Sequence, residues 1–120
     1  GYSTDPATFA KVKKRIGRSS PVLVSIDSLH TEAHVLAELD LYSTLVGKGS
    51  YIVVFDTVLK KLPRSTYPTD HANRPWSQRA NPGTAVAKFL KKNRDFVADA
   101  AIDSRILISA APGGYLKRVK

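Results

Sequence analysis

Two short stretches decide the fold: Val22-Leu23-Val24-Ser25-Ile26-Asp27-Ser28 and Tyr51-Ile52-Val53-Val54-Phe55-Asp56-Thr57. Each is rich in β-branched residues, apolar at both parities, and closed by an aspartate. That pattern predicts strands covered on both faces, as in a parallel sheet. Between them Val35, Leu39, Tyr42 and Val46 recur at steps of four, three and four, which predicts a helix from about Thr31, ended by Gly47 and Gly49. Strand, helix and strand at this length make a right-handed crossover. Both strands then point the same way, so Asp27 and Asp56 share the carboxyl edge of the sheet, where open α/β sheets bind ligands.

Working outward, Asp5-Pro6 is a helix start, with an acceptor at the cap and proline where its missing N–H costs nothing. Phe9, Val12 and Ile16 form its apolar stripe, and Gly17 suits its end. Lys11, Lys13, Lys14 and Arg15 occupy the opposite face, with Arg18 just beyond. From Val58 to Ala80 regularity disappears among Pro63, Tyr67, Pro68, His71, Asn73, Arg74, Pro75 and Trp76. Irregular segments this long are uncommon unless they act as lids, and this one starts beside Asp56, so a lid over the same edge is expected. Asn81-Pro82 caps a third helix with Ala85, Val86, Phe89 and Leu90 inward, ending near Asn93. Phe96 to Ala101 and Ile106 to Ala110 read as strands joined at Asp103-Ser104, an antiparallel hairpin. Pro112-Gly113-Gly114 kinks the chain before Tyr115-Leu116. The expectation is one α/β domain over residues 1–120: two parallel βα units plus a C-terminal antiparallel hairpin, with helices packed on the sheet.

Composition bounds the rest. A chain of 120 residues is one domain, and it can bury roughly two-thirds of its unfolded surface. With 42% hydrophobic and 24% charged residues it has a globular composition. No apolar run approaches the ~20 residues that span a bilayer, and no signal-peptide pattern opens the chain, so no membrane partner is expected. Cysteine is absent, which excludes disulfides and thiolate metal sites and leaves cytoplasm as the default compartment. Methionine is absent too, position 1 included. The formal net charge of +9 attracts polyanions, so nucleic acid is one partner class. However, Lys60-Lys61-Arg64, Lys91-Lys92-Arg94 and Lys117-Arg118-Lys120 have little aromatic interleaving for base stacking. Solvated helix faces, or an acidic protein partner, account for the charge more simply.

Two carboxylates converging at strand ends can hold a hard cation such as Mg²⁺, hydrogen-bond a polyol, or share a proton as an acid/base pair. Each aspartate alone is equally a turn or capping residue; the pair at matching ends is what points to a site. His30, three residues after Asp27, can reach the same rim, whereas His34 falls in the first helical turn and lacks the further ligands of a zinc site. Gly47-Lys48-Gly49-Ser50 leads into a strand and not out of one, so it is no phosphate loop. Ser19-Ser20, Ser25 and Ser28 lack the strand–turn–helix setting of a nucleophile.

The blocks Asp27-Ser28-x-His30-Thr31-x-x-His34-Val35-Leu36-Ala37-Glu38-Leu39, Gly49 to Thr57, Arg74-Pro75-Trp76, Asn81-Pro82-x-Thr84-Ala85-Val86 and Ala111-Pro112-x-Gly114-Tyr115-Leu116-Lys117-Arg118, with Ser3-Thr4-Asp5-Pro6 ahead of them, resemble the cephalosporin hydroxylase / rhamnosyl O-methyltransferase family. The resemblance implies a Rossmann-like methyltransferase sheet that uses S-adenosylmethionine, often with Mg²⁺ held at the positions of Asp27 and Asp56. It makes Asp27 and His30 the catalytic candidates and Asp27 and Asp56 the metal candidates. Phe55 and Thr57 stand where some members place a second acidic ligand, and Leu29 replaces a usual polar residue. The resemblance further implies that this sequence corresponds to the C-terminal half, strands four to seven, without the glycine-rich loop for the cofactor. S-adenosylmethionine is then not expected to bind this chain alone, and the chain reads as a fragment or truncated homologue of a metal-assisted O-methyltransferase. The alternative is a non-catalytic basic binding module that self-associates. On either reading the edge of the Val22–Ile26 strand lacks a neighbour, so a homodimer or a complementing N-terminal half is expected to pair there.

Overall fold

Asp5 stands at the cap position before Pro6, Gly17 takes a left-handed φ of 60° after Ile16, and between them runs α1, Pro6–Ile16. The computed structural model describes residues 1–17, 21–67 and 76–120; Arg18, Ser19, Ser20 and the lid residues Pro68, His71, Asn73, Arg74 and Pro75 lie outside them. The further elements are β1 (Val24–Ile26), α2 (Glu32–Tyr42), β2 (Tyr51–Val54), α3 (Pro82–Lys92), β3 (Phe96–Ala98), α4 (Ala100–Ile106) and β4 (Tyr115–Arg118), with single 3₁₀ turns at Ser43–Leu45, Thr57–Lys61 and Arg64–Thr66. Local chemistry sets the helix starts. Thr31 accepts from the His34 amide at the head of α2, and Asn81 with Thr84 makes a reciprocal capping box at the head of α3.

The sheet order is β1-β2-β4-β3. β1 and β2 are parallel, with Val24 opposite Ile52 and Ile26 opposite Val54. β4 runs antiparallel to both β2 and β3, so β1, β2 and β3 share one direction and β4 is the reversed strand between them. This four-stranded mixed sheet with helices packed on it is a small α/β fold, consistent with a partial Rossmann-like methyltransferase sheet.

Two sequence expectations change in detail. The antiparallel C-terminal pair exists, but its second strand is Tyr115–Arg118, with Phe96 opposite Arg118. Asp99 caps the intervening segment by accepting from the Ala101 amide, and Ala100–Ile106 forms α4, because two alanines behind a capping aspartate favour helix. Leu107 and Ile108 after it are 85% and 91% exposed, so no sheet covers that run. The strands are also not covered on both faces: residues alternate along β2 between half-buried and buried. Ile52, Val54 and Leu116 face a single core with Val35 and Leu39 of α2 and Ala85, Val86 and Phe89 of α3, because both helices pack on the same side.

Phe89 is wholly buried and its ring lies 5.6 Å from that of Phe96. Between the helices Lys88 reaches Glu32, and that contact, with the Thr84 hydroxyl, holds the Glu32 carboxyl below its ordinary pKa. Replacing the ring is the sharper test of this core. Phe89→Ala should cost about 3–5 kcal/mol, read as a lower urea midpoint.

Candidate functional site

The end of β2 is clamped from the C-terminal side. The Val54 amide donates to Gly114 O at 2.9 Å, the Val58 amide to Ala110 O at 3.3 Å, and the Thr57 hydroxyl to Pro112 O at 3.1 Å. A Cβ on Gly114 would stand 2.3 Å from Val54 O, so only glycine lets this segment approach so closely. Held in this way, the chain turns at Asp56 in the left-handed region, φ 54° and ψ 22°. His30, in the loop after β1, is also left-handed, with φ 59°. Each such residue costs roughly 1–2 kcal/mol, and strain of this kind gathers at functional sites.

The two turns bring the three sequence candidates together. His30 Nε2 lies 3.2 Å from Asp27 Oδ1 and 2.9 Å from Asp56 Oδ2. That nitrogen donates its Nε2–H to Asp27, since an ionised carboxylate only accepts, and stands within ion-pair distance of Asp56. Each of the three residues also offers a ligand atom within 4.8 Å of the others. The carboxylates are open to solvent, at 64% and 36% exposure of the Asp27 and Asp56 side chains, while the imidazole is recessed at 23%.

Described residues of the segment expected as a lid stand beside the same rim. His30 and Asp56 line one side of a cavity of about 410 Å³, whose other walls are Leu59, Leu62, Thr66, Tyr67 and Trp76. The Trp76 ring meets the His30 ring edge-to-face at 5.3 Å. Burial raises the pKa of the Tyr67 hydroxyl, which has no hydrogen-bond partner among the described residues.

The donor set fits a divalent cation: two carboxylates suit Mg²⁺ or Mn²⁺, and an imidazole shifts preference toward Mn²⁺. Of the neighbours of Asp56, Phe55 is apolar and the Thr57 hydroxyl donates its hydrogen to Pro112 O. His34 is not part of this cluster; its Nε2 lies against Ser3 and Glu38. Gly47 to Ser50 sits at the opposite end of β2, tied to Arg118, and faces away from the rim. Sequence reasoning placed Tyr67 and Trp76 together in the segment over the rim without seeing that Trp76 meets His30, and it did not single out Leu59, Leu62 or Thr66 as walls. The available signal was a sole tryptophan in a segment starting at the rim.

The acidic and imidazole cluster thus stands at the carboxyl edge of a sheet consistent with a partial Rossmann-like methyltransferase fold. The family model for rhamnosyl O-methyltransferase/CmcI matches residues 1–119, and the chain belongs to that family. No curated protein and no solved structure matches it.

The left-handed turn gives a direct test. Asp56→Gly and Asp56→Ala both delete the carboxylate, but only glycine enters this region freely. After its larger unfolded-state entropy is set against the relieved strain, the glycine variant should be the more stable by about 0.5–1 kcal/mol, measured by denaturant unfolding.

Proposed function

We propose that residues 1–120 supply the metal- and acceptor-facing side of an O-methyltransferase-type site. The observation that carries this is the convergence of Asp27, His30 and Asp56 beside a partly apolar cavity, in a chain of an O-methyltransferase family. Asp27 and Asp56 hold a divalent cation, and a cation there lowers the pKa of a bound hydroxyl. Leu59, Leu62 and Trp76 seat the apolar face of an acceptor alcohol or sugar. His30, recessed between the carboxylates and against Trp76, keeps its hydrogen at Nε2 and accepts the acceptor's hydroxyl proton at Nδ1, and the two carboxylates stabilise the imidazolium that results. S-adenosylmethionine is the methyl donor the family implies. Among the described residues no glycine turn leads from a strand on this rim into a helix, so these residues offer its methionine end no cradle.

Isothermal titration with Mg²⁺ and with Mn²⁺ tests the reading. The protein should bind at least one of them, and Asp27→Ala or Asp56→Ala should remove the heat of binding. No binding by the unsubstituted protein would reject it.

We propose also that the edge of β1, which has no partner strand among the described residues, pairs with a second polypeptide, either another copy or a complementing half. The Phe55 amide donates to Ile26 O, so Ile26 and Val24 direct their backbone groups to β2 while Ser25 directs its own to the open edge. Leu23 and Leu29, on either side of β1, are 65% and 53% exposed. Sedimentation velocity should show a dimer that Ser25→Pro converts to monomer. A monomer at every concentration would remove the self-pairing form of this reading.

A further inference from the structure

The loop that carries two of the three cluster residues is short and weakly held by its own backbone. Four residues, Asp27 to His30, link β1 to the cap of α2, and none of them takes part in a backbone–backbone hydrogen bond among the described residues. One of the four is left-handed and another, Leu29, is 53% exposed. What ties this loop to the interior is a side chain: Ser28 Oγ donates to Glu38 Oε2 at 2.6 Å.

Glu38 is an unusual anchor. It lies in α2 on the buried stripe, next to Leu39, and is only 4% exposed. Its other oxygen, Oε1, accepts from Ser3 Oγ at 2.6 Å and lies 3.4 Å from His34 Nε2. Both serine bonds have the length of charge-assisted O–H···O⁻ contacts, about twice as strong as neutral ones. A carboxylate this buried is costly unless its oxygens are satisfied. Here one oxygen is spent on the segment before α1 and the other on the rim loop. The Ser3 arm is reinforced by the Tyr42 hydroxyl, which donates to Ser3 O at 2.8 Å, and by the edge-to-face contact of Phe9 with Tyr42.

We infer that Glu38 is a positioning residue for the rim: through Ser28 it sets where Asp27 and His30 stand relative to Asp56, while its Ser3 contact serves stability alone. It touches neither a cation nor an acceptor. Its effect on the cluster passes through one hydroxyl, in the manner of the outer partners that orient metal ligands. The reading of the cluster as a cation site is a premise only for the affinity measurement below; the geometric claim about His30 stands apart from it.

The two arms can be cut separately in the full chain. Ser28→Ala should weaken Mn²⁺ binding by about 10–100-fold, the range seen for lost outer partners. Ser3→Ala should lower the melting temperature yet leave Mn²⁺ affinity within about twofold. Glu38→Gln keeps the shape and can still accept from one serine while donating to the other, so it should recover most of what Glu38→Ala loses, even if Glu38→Ala folds poorly. A metal-free measurement runs in parallel. The His30 ring protons lie in the ring current of Trp76, and their NMR shifts should move in Ser28→Ala and stay in place in Ser3→Ala. If the protein binds no Mn²⁺ but Ser28→Ala still moves those protons, the cation reading falls and the positioning role stands. If Ser28→Ala leaves both the affinity and the His30 shifts unchanged, or Ser3→Ala disturbs them equally, Glu38 is a structural residue only and the inference is overturned.

Discussion

The parallel pairing of β1 with β2 is the constraint on which the rest depends. Ile26 opposite Val54, closed by the bond from the Phe55 amide to Ile26 O at 2.9 Å, puts Asp27, next after β1, and Asp56, two places past β2, on one edge. A shift of one residue would turn every side chain of β1 to the other face. Ile26 would leave the core it shares with Val35, Leu39 and Val54, and Asp27 and Asp56 would no longer meet at His30. The burial that fixes the register therefore also assembles the cluster.

Around that pairing the protein spends polar groups where apolar packing cannot reach. β4, inserted against the direction of its neighbours, delivers Gly114 to the end of β2, and the segment before it holds Thr57 and Val58. The opposing turn after β1 has no such backbone support and relies on Ser28 and the buried Glu38. Two left-handed non-glycine residues, His30 and Asp56, are thus held by different devices, one by main-chain bonds and one by a side-chain strut. The His30 imidazole, against Asp27 on one side and Asp56 on the other, joins the two turns. Strain that would relax in an isolated loop persists because each turn is determined from outside itself.

Much of this was legible in the residues. Two apolar runs ending in aspartate, a helical stripe between them and proline or threonine caps predicted β1, α2, β2 and the common rim, because period and capping are local properties. The same runs misled on the covering of the sheet: Tyr51 and Val53 are apolar enough for a buried face, yet both helices pack on the other side. The C-terminal hairpin was misplaced for a related reason. Ile106 to Ala110 has strand-like composition, but the capping of Asp99 and the pairing open to Tyr115–Arg118 outweighed it, and propensity over five residues is a weak force beside three ladder pairs in a core.

By itself, then, the sequence determined the α/β class, the direction of the first two strands, and the presence of Asp27 and Asp56 at one edge with His30 in reach of it. Those follow from spacing and from the chirality of a crossover, which need no knowledge of distant contacts. The tertiary structure alone decided that one imidazole would bridge two carboxylates, that Trp76 would back it, and that Glu38 would tether its loop through Ser28. Each of these needs at least one contact between residues from ten to more than forty positions apart, at distances set by how helices and strands pack, and no local periodicity encodes such distances.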